Sequence, residues 1–160
     1  MLTHTTMGSP IGELTLMNDD GVLVGVWMGA VPAARAGQLG EGTPDGFGQA
    51  IDELDAYFAR ERTAFDVPIE PRGNAFDRRV WDLLLEIPFG ETRSYGDLAR
   101  DLGDVGLARA VGVANARNPI PIIVPCHRVI GSDGSLTGYG GGLERKRILL
   151  ELEDGRTALF

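Results

Sequence analysis

A chain of 160 residues, 43% of them hydrophobic, has material for one domain or two small ones, and it contains no apolar run of the about eighteen residues that would span a bilayer. Its single cysteine and two histidines exclude an intramolecular disulfide and a cysteine-cluster zinc site, so neither metal nor cofactor is expected. The net charge of −8 argues at first against nucleic acid, whose affinity comes largely from cations on phosphates. That acidity is uneven: residues 1–73 carry 11 acidic and 4 basic side chains, and residues 74–160 carry 12 and 11. Of the fifteen basic residues only Lys146 is a lysine, a bias that is neutral between phosphate recognition and genomic composition. Met1 to Gly8 lacks the charged and apolar regions of a signal peptide, which leads us to expect a cytoplasmic protein with no membrane association.

Along the chain, Leu14–Met17 and Val22–Trp27 are apolar stretches separated by Asn18, Asp19, Asp20 and Gly21, a hairpin pattern. Residues 29–45 read as a loop, and Phe47, Ile51, Leu54, Tyr57 and Phe58 recur at helical spacing over about Asp45–Arg60. Phe65–Ile69 adds a candidate strand and Pro71–Asn74 a linker. From Ala75 the spacing is helical, with Phe76, Val80, Trp81, Leu84 and Leu85 on one stripe, ended by Pro88, Phe89 and Gly90. Ser94 is placed to cap a short helix from Tyr95 to about Leu102, with Asp97 in its first turn. A turn over Gly103–Gly106 leads to a second helix over Leu107–Ala116, and a last helix over Leu143–Leu152 follows the glycine-rich stretch Gly138–Gly142. The expected fold is α+β: a small N-terminal α/β domain with a hairpin-containing sheet (1–73) and a mainly helical C-terminal domain (74–160). Two short helices joined through a glycine-bearing turn fit either a helix-turn-helix or an unspecialised helical pair.

The only cysteine, Cys126, stands beside one of the two histidines in Pro125, Cys126, His127, Arg128, Val129. A cysteine reacts through its thiolate, and a free thiol needs a nearby base or positive charge to be ionised at neutral pH. His127, Arg128 or a helix N-terminus could supply one. Cys126 could equally be a buried small hydrophobe. The preceding run Ile120–Pro125 is apolar and proline-punctuated, which sets Cys126 after a rigid segment rather than on a flexible tip.

Arg109, Ala110, Val111 and Gly112, then Asn118 and Pro119, then Pro125–Val129, then Gly138, Tyr139 and Gly140–Gly142 form an ordered series. The series resembles the O6-alkylguanine-DNA alkyltransferases, also called methylated-DNA-protein-cysteine methyltransferases. The resemblance runs from about Phe76 to Glu153 and more weakly over residues 1–72, where Ser9–Leu14 match a common opening. It implies direct-reversal DNA repair: one irreversible transfer of an alkyl group, typically methyl, from guanine O6 in duplex DNA to Cys126.

The roles of the other residues follow from the same resemblance. His127 would take the thiol proton through a bridging water, and Glu153 would orient and polarise His127. Tyr95 would donate a proton or hydrogen bond to the departing guanine. Read without the resemblance, Glu153 is equally a solvated carboxylate at a helix end, and Tyr95 a packing residue. Val129, Tyr139, Gly140 and Gly141 would line the guanine pocket, where glycine permits close backbone approach. Many relatives have serine where this chain has Gly140, so an amide contact survives there and a hydroxyl contact does not. Leu107–Ala116 would be the recognition helix in the minor groove, with Arg109 filling the space of the flipped base and Ala108, Ala110, Gly112 and Asn115 on the DNA side. Asn118 would be a hinge tying that helix to the Cys126 segment. The partner implied is double-stranded DNA carrying O6-alkylguanine, bound by a monomer, while the sequence leaves open both O4-alkylthymine as a substrate and cooperative binding to DNA. No zinc is expected, because the extra cysteines and histidines that hold it in some relatives are absent.

Three rival readings belong to other classes. An alkyltransferase-like protein binds the lesion without repairing it, but commonly has tryptophan where this chain has Cys126. A cysteine hydrolase usually brings its base from elsewhere in the chain. A DNA-binding regulator without chemistry accounts for the helix pair but not for the Cys126 series.

Overall fold

The computed structural model describes residues 1–136, 138–139 and 141–154, and the chain divides into two compact units, Met1–Arg72 and Gly73–Phe160. The first unit is built on a four-stranded sheet of order β3-β2-β1-β4. Its strands are β1 (Leu2–Met7), β2 (Leu14–Asp19), β3 (Val22–Met28) and the short β4 (Glu41–Gly42). β2 pairs antiparallel with both β1 and β3, and β4 runs parallel to β1. The expected hairpin is present, closed by Asp20 and Gly21 at φ 49° and 92°. Two successive positive φ values make a type I′ turn, whose twist matches that of the flanking strands and which Asp-Gly adopts readily. Helix α2 (Gly48–Phe58) buries Ala50, Glu53, Leu54 and Tyr57, the three-and-four spacing of one helix face. With Leu14, Leu16, Leu23, Val26 and Phe47 they make up most of the buried interior of this unit.

Several expectations need correction here. The loop over 29–45 contains a four-residue helical turn, α1 (Ala33–Ala36), as well as β4. Phe65–Ile69 is not a strand and makes only an isolated parallel bridge, Leu23 to Ile69. Pro68 has no N–H to give a ladder, and the amides of Asp66 and Val67 are taken at 2.8 and 3.0 Å by the buried carboxylate of Glu53. Side-chain acceptance there replaces strand pairing.

The second unit is mainly helical: α3 (Ala75–Leu85), α4 (Tyr95–Asp101), α5 (Ala108–Ala116) and α6 (Leu143–Glu153), with one small parallel pair of strands, β5 (Arg93–Ser94) and β6 (Val129–Ile130). Asn74, expected in a linker, caps α3 by accepting from the amide of Asp77 at 2.7 Å. The buried stripe of α3 is Asp77, Val80, Trp81 and Leu84. Phe76 is half-buried, and Leu85 is 47% exposed, one step round the helix from the stripe it was expected to join. Trp81 donates to the carbonyl of Ala114 at 2.9 Å, which fixes α5 against α3. A Cβ on Gly73 would come within 2.3 Å of the Trp81 ring, so only glycine leaves the indole its seat.

α4 opens on the expected cap: Ser94 accepts from the amide of Asp97 at 3.0 Å, and the Asp97 carboxylate accepts from that of Ser94 at 2.8 Å, a reciprocal capping box. The turn after α4 passes through Gly103 at φ 98° into a 3₁₀ turn over Val105–Leu107, so α5 begins at Ala108, one residue later than its spacing suggested. α4 and α5 form the helix-turn-helix.

Candidate active site

The segment between α5 and β6 places the thiol. Pro119, Pro121 and Pro125 lack amide hydrogens, and the Asn118 carboxamide compensates: its Nδ2 donates to Val124 O at 2.8 Å and its Oδ1 accepts from the amide of Ile120 at 3.0 Å. Ile122 sits at φ 77° and is fully buried. A β-branched side chain is strained in that region, and such strain persists only where surrounding structure imposes it. The segment ends in a 3₁₀ turn, Cys126–Arg128, all three residues buried.

Cys126 is 5% exposed. Burial pushes its thiol up to about 11, against the opposing effects of the Asn118 side chain, the Lys146 ammonium and the Tyr139 side chain. The sequence suggested a cation or base that lowers this value at rest. Burial overrides it, so the resting group is a thiol.

His127 is fully buried. Its Nε2 lies 2.6 Å from Glu153 Oε2, and its Nδ1 has no hydrogen-bond partner among the described residues. Burial raises the Glu153 carboxyl, but hydrogen bonds from His127 and Arg128 outweigh it and hold Glu153 at about 2. An ionised carboxylate only accepts, so Nε2 carries the hydrogen and donates it. Burial also pushes His127 below the usual imidazole range, in spite of Glu153. The neutral ring therefore presents its lone pair at Nδ1.

Two cations belong to this cluster: Arg128, which the sequence offered as a charge beside the thiol, and Lys146, which it left without a site role. Arg128 donates from Nε and Nη2 to Glu153 Oε1 and Oε2 at 2.7 and 3.0 Å, and from Nη1 to Ile87 O at 2.6 Å. Lys146 is fully buried and donates to Val129 O at 2.6 Å. A signal for Lys146 existed: Lys146, Leu149 and Glu153 share one face of α6, and all three are buried. A charged residue at core spacing in an otherwise arginine-only chain marks a position that packing alone does not explain.

The structure thus gathers Cys126, His127, Glu153, Asn118 and Tyr139 with Arg128 and Lys146. Tyr95 opens α4 half-buried, and a Cβ on Gly112 would stand 3.7 Å from its ring. α5 meets α4 through that small residue. On α5, Arg109 and Ala110 are exposed, and Ala108 and Gly112 are partly so. Asn115, grouped with the DNA-facing residues, needs correction: it is buried, and its Nδ2 donates to Cys126 O at 3.3 Å. Its side chain points toward the thiol segment. Gly141 accepts from Arg145 at 2.9 Å through its carbonyl. Gly140, expected in the guanine pocket, lies outside the described residues. No helix among the described residues is long and apolar enough to cross a membrane.

The second unit thus holds a buried thiol, a buried imidazole bonded to a buried carboxylate, and a helix-turn-helix. Two family models match the chain: the ribonuclease-like domain of 6-O-methylguanine DNA methyltransferase over residues 2–71 and the DNA binding domain of the same over residues 75–155. The chain is 53% identical over 156 residues to the methylated-DNA–protein-cysteine methyltransferase of Mycobacterium bovis, covering 98% of this chain and 94% of the relative. It is 47% identical over 146 residues to the protein of that name from Methanosarcina acetivorans, covering 91% and 94%. Among solved structures, Mycobacterium tuberculosis OGT in complex with DNA is similar with a TM-score of 0.88 at 54% identity, covering 96% of this chain and 94% of that one. The chain belongs to the 6-O-methylguanine DNA methyltransferase family.

Proposed function

We propose that this protein repairs DNA by moving an alkyl group, typically methyl, from O6 of guanine in duplex DNA to the sulfur of Cys126. The observation that carries this reading is the His127–Glu153 contact at 2.6 Å. It orients the imidazole with its lone pair at Nδ1, one residue from the only thiol in the chain.

In this reading the thiol proton passes through a bridging water to His127 Nδ1, and the imidazolium is stabilised by Glu153. The sulfur forms a bond to the alkyl carbon as the carbon–O6 bond breaks. Tyr95 supplies a proton or hydrogen bond to the leaving guanine, and Val129, Tyr139, Gly140 and Gly141 border the flipped base. The thiol held at about 11 suits this order of events, because deprotonation is then tied to the arrival of an electrophile. Product and nucleophile are the same residue, so each molecule acts once.

Residues 74–160 are the DNA-binding and alkyl-transfer domain, and residues 1–73 the N-terminal domain and linker. Arg109 enters the stack in place of the flipped base, with Ala108, Ala110 and Gly112 allowing close approach to the minor groove. Asn118 is the hinge between α5 and the thiol segment. Binding is by a monomer, salt-dependent and largely independent of sequence, and the protein works in the cytoplasm. The test is mass spectrometry after incubation with a duplex containing one O6-methylguanine. The adduct is expected on Cys126 alone, and a Cys126→Ala protein that still removes the methyl group rules the reading out.

A further inference from the structure

Arg128 is 6% exposed, and its guanidinium is not spent on the thiol. It grips both oxygens of Glu153 at 2.7 and 3.0 Å, while its third donor reaches Ile87 O, just past α3, at 2.6 Å. Its plane also lies near the Phe89 ring, at 5.8 Å. The two-point grip fixes direction as well as charge. Glu153 Oε2 accepts from His127 Nε2 at the same time, so one carboxylate is shared by a base and a permanent cation.

The charges decide what this sharing does. A lone buried carboxylate beside an imidazole favours the imidazolium, and that would occupy the Nδ1 that has to receive the thiol proton. A guanidinium stays charged at every working pH, and on the same carboxylate it cancels the attraction. Burial and Lys146, on α6, oppose charging of the ring as well, and Cys126 is an uncharged thiol at rest, but Arg128 acts through the carboxylate to which the ring is bonded.

We propose that Arg128 is a positioning residue that acts on His127 through Glu153, fixing the orientation of the ring and keeping it unprotonated until the thiol proton arrives. The proposal rests on the alkyl-transfer reading for its kinetic consequence, but its electrostatic core concerns the three side chains alone.

The experiment pairs two measurements on the full chain: the pH dependence of methyl transfer from an O6-methylguanine duplex, and an NMR titration of the His127 ring. In Arg128→Gln, which loses both the charge and the fork, His127 is expected to titrate about one to three pH units higher than in the natural protein, and the acid limb of the rate profile moves with it while the alkaline plateau falls as well. Arg128→Lys keeps the charge and loses the fork: the limb is expected to stay, and the plateau to fall roughly tenfold to a hundredfold. The double variant Arg128→Gln, Glu153→Gln removes both charges of the fork and covers the case in which the single variant does not fold. In it the His127 titration returns to the natural range or below. A folded Arg128→Gln protein with an unshifted His127 titration overturns the proposal, as does a double variant that keeps the shift. Absence of methyl transfer in the natural protein defeats the alkyl-transfer reading instead, and the NMR titration still decides the role of Arg128.

Discussion

Asn115, on α5, donates to the carbonyl of Cys126 at 3.3 Å, so the helix proposed to enter the DNA groove is bonded directly to the residue proposed to accept the alkyl group. Both ends of that bond are buried. Loss of one partner leaves a carbonyl without this donor, at a cost of about 1–2 kcal/mol. Asn115→Ala is expected to lower unfolding stability by that amount, measured by denaturant titration, and to slow transfer from duplex DNA. A variant of natural stability and rate shows that the bond carries no coupling.

Stability should fall as the solution is acidified below about pH 6.5. His127 is held below its ordinary value of 6.5 by burial, so under that pH the unfolded chain binds a proton that the folded chain refuses, and unfolding is favoured. Glu153 adds a second loss lower down: its contribution is intact above 4.5 and disappears as pH falls toward about 2. Unfolding free energies at about pH 7.5 and 5.5 check the first window. In His127→Gln the difference between those two values is expected to shrink.

The resting thiol should be a poor target for small electrophiles. With Cys126 pushed up from 9.0 to about 11, its thiolate fraction near pH 8 is roughly a hundredfold below that of an ordinary cysteine. Iodoacetamide should therefore label the folded protein at least that much more slowly than the urea-unfolded chain. The linked stability effect has the opposite sign to that of His127: it is fully present below 9 and is lost as pH rises through 11. Labelling of the folded protein at the rate of the unfolded chain contradicts the assignment.

Arg109 is exposed on α5, so Arg109→Ala should leave stability within about 0.5 kcal/mol of the natural protein. Its effect should depend on the DNA instead. Extruding a base is costly from a duplex and least costly from a single strand, so transfer is expected to drop roughly tenfold or more on a duplex and little on a single-stranded oligonucleotide. Equal losses on both make Arg109 a phosphate contact rather than a stand-in for the base.

What could be read from the sequence was what is decided locally. Asn18–Gly21 reads as a hairpin and Ser94 with Asp97 as a cap because a few neighbouring residues settle those geometries. The adjacency of Cys126 and His127 is likewise visible in the chain. β1 was not legible: Leu2–Met7 is rich in threonine and becomes a strand through pairing with β2. Phe65–Ile69 looked like a strand until Glu53 claimed its amides. At the site, the sequence shows Arg128 beside His127 but not its fork to Glu153, which depends on where α6 ends. The direction of the Cys126 shift was hidden for the same reason, since burial is set by the whole fold.

The central claim is that the one thiol of this protein is consumed in a single transfer. The most direct measurement titrates the protein with an oligonucleotide duplex carrying one O6-methylguanine and counts methyl groups on Cys126 against lesions removed. The account predicts one lesion lost per protein molecule, one methyl on Cys126 and no further repair on adding more duplex. Continued loss of lesions after Cys126 is fully methylated, or a methyl group on any other residue, contradicts it.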